Sequence, residues 1–176
     1  MNSSLQCLLF KKLLLPFCLF VCAIALYIPA SAQEQPPKPV TVNITAVEAR
    51  QQLNFGSIIP TDGGGTVEIL PNPGSPPNLI GVFRLGSSYC SPALFEVHAI
   101  PGTLIYIDFI PPLELNLNAR SLIIDKMTSS TGSPFITTTD PTDVYIGGTL
   151  NVGSILANPA GTYVGSIEVK FTQIQQ

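Results

Sequence analysis

A chain of 176 residues with 17 prolines, 14 glycines and 45% hydrophobic residues is long enough for one domain with a substantial core and too rich in helix breakers for long helices. Eleven acidic residues against eight basic ones give a net charge of −3, and no basic run follows the N-terminal region, which excludes an electrostatic nucleic-acid binder.

At the N-terminus, Lys11 and Lys12 precede an apolar run from Leu13 to Ile28, and Ala30-Ser31-Ala32 supplies small residues for a cleavage site. This pattern predicts a cleavable signal peptide over residues 1–32. The run is short of the ~20 residues that span a bilayer and contains Pro16, so no membrane span is expected after cleavage. Bulky Leu19-Phe20-Val21 argues against lipid attachment at Cys22. Loss of the signal lowers the basic count from 8 to 6 and leaves a net charge of −5. It also removes Cys7, Cys18 and Cys22, so Cys90 stands alone without an internal disulfide partner.

Residues 33–39, Gln33-Glu34-Gln35-Pro36-Pro37-Lys38-Pro39, read as an extended polar linker, and 40–176 as a single β-sandwich domain. The domain opens on a strand whose apolar face is Val40, Val42, Ile44 and Ala46. Leu53 to Pro60 predicts a short strand and its exit, and Thr61-Asp62-Gly63-Gly64-Gly65 a tight hairpin into Thr66 to Leu70. Pro71 to Asn78 is a loop by composition, followed by strands over Leu79–Leu85, Ala93–Ile100, Thr103–Ile110 and Leu113–Asn118. Ser121–Ile124 fits a strand or a short helical turn. Gly147 to Gly153 and the stretch ending at Phe171 close the series, with Ile167, Val169 and Phe171 on one face and Glu168 and Lys170 on the other. Turn signals roughly every 8 to 12 residues, without a 3.6-residue apolar period, predict an all-β sandwich. Phe95, Val97, Ile167, Val169 and Phe171 are expected to point into its core.

Few residues suggest chemistry. His98 is the only histidine, shares a strand face with Leu94 and Glu96, and has no G-x-S-x-G nucleophile motif beside it. Cys90 has no neighbouring Lys, Arg or His to lower its pKa, and reads as a semi-buried, inert thiol. Asp62, Asp140 and Asp143 lack the dense spacing of a calcium loop and read as turn residues. Gly63-Gly64-Gly65-Thr66 has neither the lysine nor the helix of a phosphate cradle. Neither catalytic, cofactor-binding nor metal-binding residues are expected.

Five motifs in order, Leu53-Asn54-Phe55-Gly56-Ser57-Ile58-Ile59-Pro60, Gly64-Gly65-Thr66-Val67-Glu68-Ile69, Phe95-Glu96-Val97, Gly148-Thr149-Leu150-Asn151-Val152-Gly153 and Gly161-Thr162-Tyr163-Val164-Gly165, resemble the bacterial exported domain of unknown function 4402, whose members are similar in pattern to spore coat protein U and fimbrial subunits. The resemblance covers about Val40 to Phe171. It implies an immunoglobulin-like antiparallel β-sandwich that is secreted, periplasmic or at the cell surface, with no activity to carry over. The expected role is a non-enzymatic structural or adhesive protein whose partners are copies of itself or other surface subunits. A monomeric module that recognises a ligand such as a glycan through the loops Pro71–Asn78 and Met127–Asp143 is the alternative. Val40, Val42, Ile44 and Ala46 form the candidate strand-exchange face, able either to close their own sandwich or to add to a neighbour's exposed edge.

Overall fold

In the computed structural model, residues 44–174 are described, and they fall within one compact unit that runs from Thr41 to Gln176. Residues 1–32, expected as a signal peptide, residues 33–39, expected as a linker, and Val40 and Val42 of the candidate face lie outside the described residues. The strands are β1 (Ile44–Gln51), β2 (Ile58–Pro60), β3 (Gly65–Ile69), β4 (Asn78–Ile80), β5 (Val82–Arg84), β6 (Ala93–Ala99), β7 (Leu104–Ile110), β8 (Glu114–Leu117), β9 (Arg120–Ser129), β10 (Phe135–Ile136), β11 (Thr142–Val152) and β12 (Glu168–Gln173). All pairings are antiparallel and no helix occurs among the described residues, so the fold is an all-β antiparallel sandwich.

The organising element is β11. Its even-numbered residues all turn inward, and Val144, Ile146, Leu150 and Val152 are buried. Ile146 pairs with both Ala93 of β6 and Ser129 of β9, while Gly148 pairs with both Ile69 of β3 and Met127 of β9. Hence β9 runs along one edge of β11, and β6 and β3 lie end to end along the other. Gly147 sits at that junction. A Cβ there would run into the carbonyl of Ile69 and the backbone of Leu70, so only glycine lets β3 end against the spine.

Two cores form on the one inner face of β11. The β3 core gathers Phe55, Val67, Ile69, Val82, Leu122, Ile124, Leu150 and Val152. The β6 core gathers Ala93, Val97, Ala99, Ile105, Ile107, Phe135, Val144 and Ile146, and is closed by a second sheet in the order β10-β7-β12. Leu53 and Met127 pack against both cores.

Several sequence expectations are corrected. The turn at Thr61–Gly65 forms, with the Gly64 amide donating to the Thr61 carbonyl at 2.9 Å, yet it is no hairpin: β2 pairs with β5 and β3 with β4. The strand expected over Leu79–Leu85 is broken at Gly81, whose positive φ of 66° moves the chain from the large sheet, which holds β4, to a two-stranded sheet of β2 and β5. The last strand begins only at Glu168; before it, the chain crosses β8 through a single bridge between Asn116 and Val164. Of the expected core residues, Val97 is buried, whereas Phe95, Ile167, Val169 and Phe171 point inward but are half-buried.

Candidate functional site

The outer face of β1, β6 and β11 carries the polar chemistry. Register places Glu48, Glu96 and Asp143 side by side across the three strands. Like charges in one lateral row repel, and Arg50 offsets this by pairing with Glu48 at 2.8 Å and Glu96 at 2.7 Å. The hydrogen bond to Glu96, with the charges of Glu48 and Glu96 behind it, holds the Arg50 guanidinium pKa above the ordinary arginine value. One step along β6, His98 Nδ1 donates to Asp140 Oδ1 at 3.0 Å. Asp140 is thereby a partner of His98, whereas Asp143 belongs to the acidic row and Asp62 is an exposed turn residue.

On the other side of Glu96 lies a half-open cleft of about 500 Å³. Its floor is Gln51, Leu94 and Tyr145, one residue from each of the three strands and in register with one another. One wall is Pro73–Pro77 of the β3–β4 loop, and the other is Arg84 with Ser87–Pro92 of the β5–β6 segment. The second wall is fixed from below: the Cys90 thiol donates to the Phe55 carbonyl at 3.4 Å, Ser91 exchanges backbone hydrogen bonds with Asn54, and Gln51 Nε2 donates to the Pro92 carbonyl at 2.7 Å. Cys90 is semi-buried and free, as its sequence context predicts. No carboxylate lines the cleft among the described residues.

The strand-exchange candidates separate. Ile44 packs half-buried against the β6 core, but Thr45 is an extra residue opposite β6, its hydroxyl donating to the His98 carbonyl at 3.2 Å. This bulge reverses the alternation. Ala46 therefore pairs with His98 on the outer face and is exposed, rather than sharing the inner face with Ile44. The inner positions become Val47 and Ala49, opposite Val97 and Phe95, and both are exposed.

Of the two loops expected to recognise a ligand, Pro71–Asn78 supplies a wall of the cleft. Met127–Asp143 does not line it, because its ends belong to β9 and β11 and its middle contains β10. Gln51, Arg84, Tyr89, Leu94 and Tyr145 were invisible as a group in the sequence; the one available signal is Tyr89, an aromatic set in a polar Ser-Pro turn.

A family model, described as a domain of unknown function (DUF4402), matches residues 44–172, from the first residue of β1 into β12. The chain belongs to the DUF4402 family. The matched span contains both cores and every residue lining the cleft. No curated protein and no solved structure matches this DUF4402 chain.

Proposed function

We propose that this DUF4402 protein is a non-enzymatic, secreted structural or adhesive subunit of a bacterial surface, assembling with copies of itself or other surface subunits by strand pairing. The observation that carries this reading is the unequal width of the two sheets over the β6 core. Phe171 of β12 meets Phe95 of β6, with ring centroids 5.5 Å apart, so the narrower sheet ends below β6. β1 projects beyond it. Beyond Ile44, which packs half-buried against the core, its inner positions Val47 and Ala49 are both left exposed among the described residues, Val47 to 38%.

Among the named strands β12 pairs with β7, and a strand added along its other side would lie under β1, extend the ladder and cover both side chains. The similarity in pattern to fimbrial subunits and spore coat protein U, and an immunoglobulin-like completion of the sandwich, agree with this arrangement. In this reading the added strand comes from a neighbouring molecule, since Ile44 and Ala46 themselves pair with β6 rather than with β12. Ala49→Lys tests the proposal. An exposed lysine leaves the monomer folded but would be buried without a partner under an added strand, so the parent protein should form larger species on concentration, by light scattering, and the variant should stay monomeric. Equal assembly by both, or a parent that is monomeric at every concentration, overturns the reading.

A further inference from the structure

We propose that the cleft between the β3–β4 loop and the β5–β6 segment binds an acidic saccharide, a sugar bearing a carboxylate. The inference does not depend on strand pairing, since the cleft lies on the outer face of the sheet. Its volume of about 500 Å³ falls within the roughly 300–1,000 Å³ of small-ligand sites. In a chain with 11 acidic and 8 basic residues, the described residues that line it include one cation, Arg84, and no carboxylate.

Arg84 is exposed and has no ion-pair partner among the described residues, in contrast to Arg50, which is saturated by Glu48 and Glu96. A planar guanidinium with all its donors free matches a carboxylate in bidentate geometry. Two tyrosines share the cleft: Tyr89, 68% exposed on the wall, and Tyr145 on the floor. Neither phenolic hydroxyl makes a hydrogen bond among the described residues. An aromatic ring that offers an apolar face and a free hydroxyl at its edge suits a sugar ring, with its C–H face and peripheral hydroxyls. The serine hydroxyls of the walls extend the same chemistry.

Charge also fixes the direction of the ligand. The row Glu48, Glu96 and Asp143 borders the floor beyond Leu94, so the sugar carboxylate belongs at Arg84 and the neutral ring over Tyr145. A proline-rich peptide is the competing occupant of an aromatic cleft. The chain's own segment 33–39 carries Glu34 as well as Lys38 and so has no net negative charge to match Arg84, which makes it a weaker match than an acidic sugar and a competitor for the test to include.

Titration calorimetry of the purified protein with trigalacturonic acid, trimannuronic acid and sialyllactose tests the assignment, with methyl-esterified trigalacturonic acid, free acetate and a peptide of residues 33–39 alongside. At least one acidic sugar should bind saturably and weaken with salt. Arg84→Gln should lower its affinity about tenfold, Tyr89→Ala should also lower it, and Arg120→Gln, a cation outside the cleft, should leave it unchanged. The fold of each variant is checked by its unfolding midpoint, and all three sites are exposed. Binding retained by Ala49→Lys separates this site from assembly. The proposal fails if none of the three acids binds, if Arg84→Gln binds them undiminished, if acetate competes as well as the sugar, or if the peptide takes the site instead.

Discussion

Burial at single positions decides how much each side chain contributes. Ile105 is fully buried between the sheets, Phe171 is half-buried at the rim of the same core, and Lys170 between β12 residues faces water. Truncation removes transfer energy and leaves a cavity only where neighbours surround the site. Ile105→Ala should therefore cost about 3–5 kcal/mol, Phe171→Ala about 1.5–3 kcal/mol, and Lys170→Ala within about 0.5 kcal/mol of nothing, as read from urea midpoints. Phe171→Ala as costly as Ile105→Ala would mean that the flank beside β12 is covered. Arg50 makes a different kind of prediction. Its pKa is raised on folding, so its contribution is fully present below the unfolded value and is lost only as pH climbs through the higher folded one. The stability difference between the parent and Arg50→Gln should thus be flat from about pH 6 to 9, and small because the group is exposed and screened.

At the scale of elements, close backbone crossings and bulges shape the sheets. Gly147→Ala would drive a methyl group into the end of β3 and should lower stability by about 1–3 kcal/mol or more, whereas Gly63→Ala, with open space around it and no positive φ, should be neutral or slightly stabilising. Thermal midpoints of the two variants check this, and equal midpoints would remove Gly147 from the junction. The same features explain what the sequence disclosed. Strands with unbroken alternation, such as Ala93–Ala99 and Leu104–Ile110, were legible almost to their ends. β9 reads as stopping at Ile124 because Asp125 is an extra residue opposite β11; past it, Met127 returns to the inner face. β11 alternates through Val144, Ile146, Leu150 and Val152, but Gly147-Gly148 looks like punctuation when it is in fact a point of close approach. Thr45 misleads in the same manner in β1. A bulge is a property of the pair of strands, so one strand's sequence does not display it. The cleft was illegible for a related reason: its floor takes single residues from three strands, and only the register aligns Gln51, Leu94 and Tyr145.

For the whole molecule, the flank of β12 proposed for assembly and the cleft on the outer face proposed for ligand capture are separate surfaces, so the two roles are compatible in one subunit. Ala49→Lys and Arg84→Gln should each abolish one property and spare the other, and their double variant should show the sum of the two effects, as expected of sites without shared partners. The spine has a thermodynamic consequence as well. Because one eleven-residue strand supplies buried side chains to both hydrophobic clusters, neither half has a boundary along which it can come apart alone. Melting either half frays β11 and exposes the other. Calorimetry should record one endotherm whose van't Hoff and measured enthalpies agree, and Leu150→Ala in one cluster or Ile105→Ala in the other should move that single peak without splitting it. Two resolved peaks would mean that β11 is a hinge between independent halves; a single one makes this protein one cooperative unit despite its two cores.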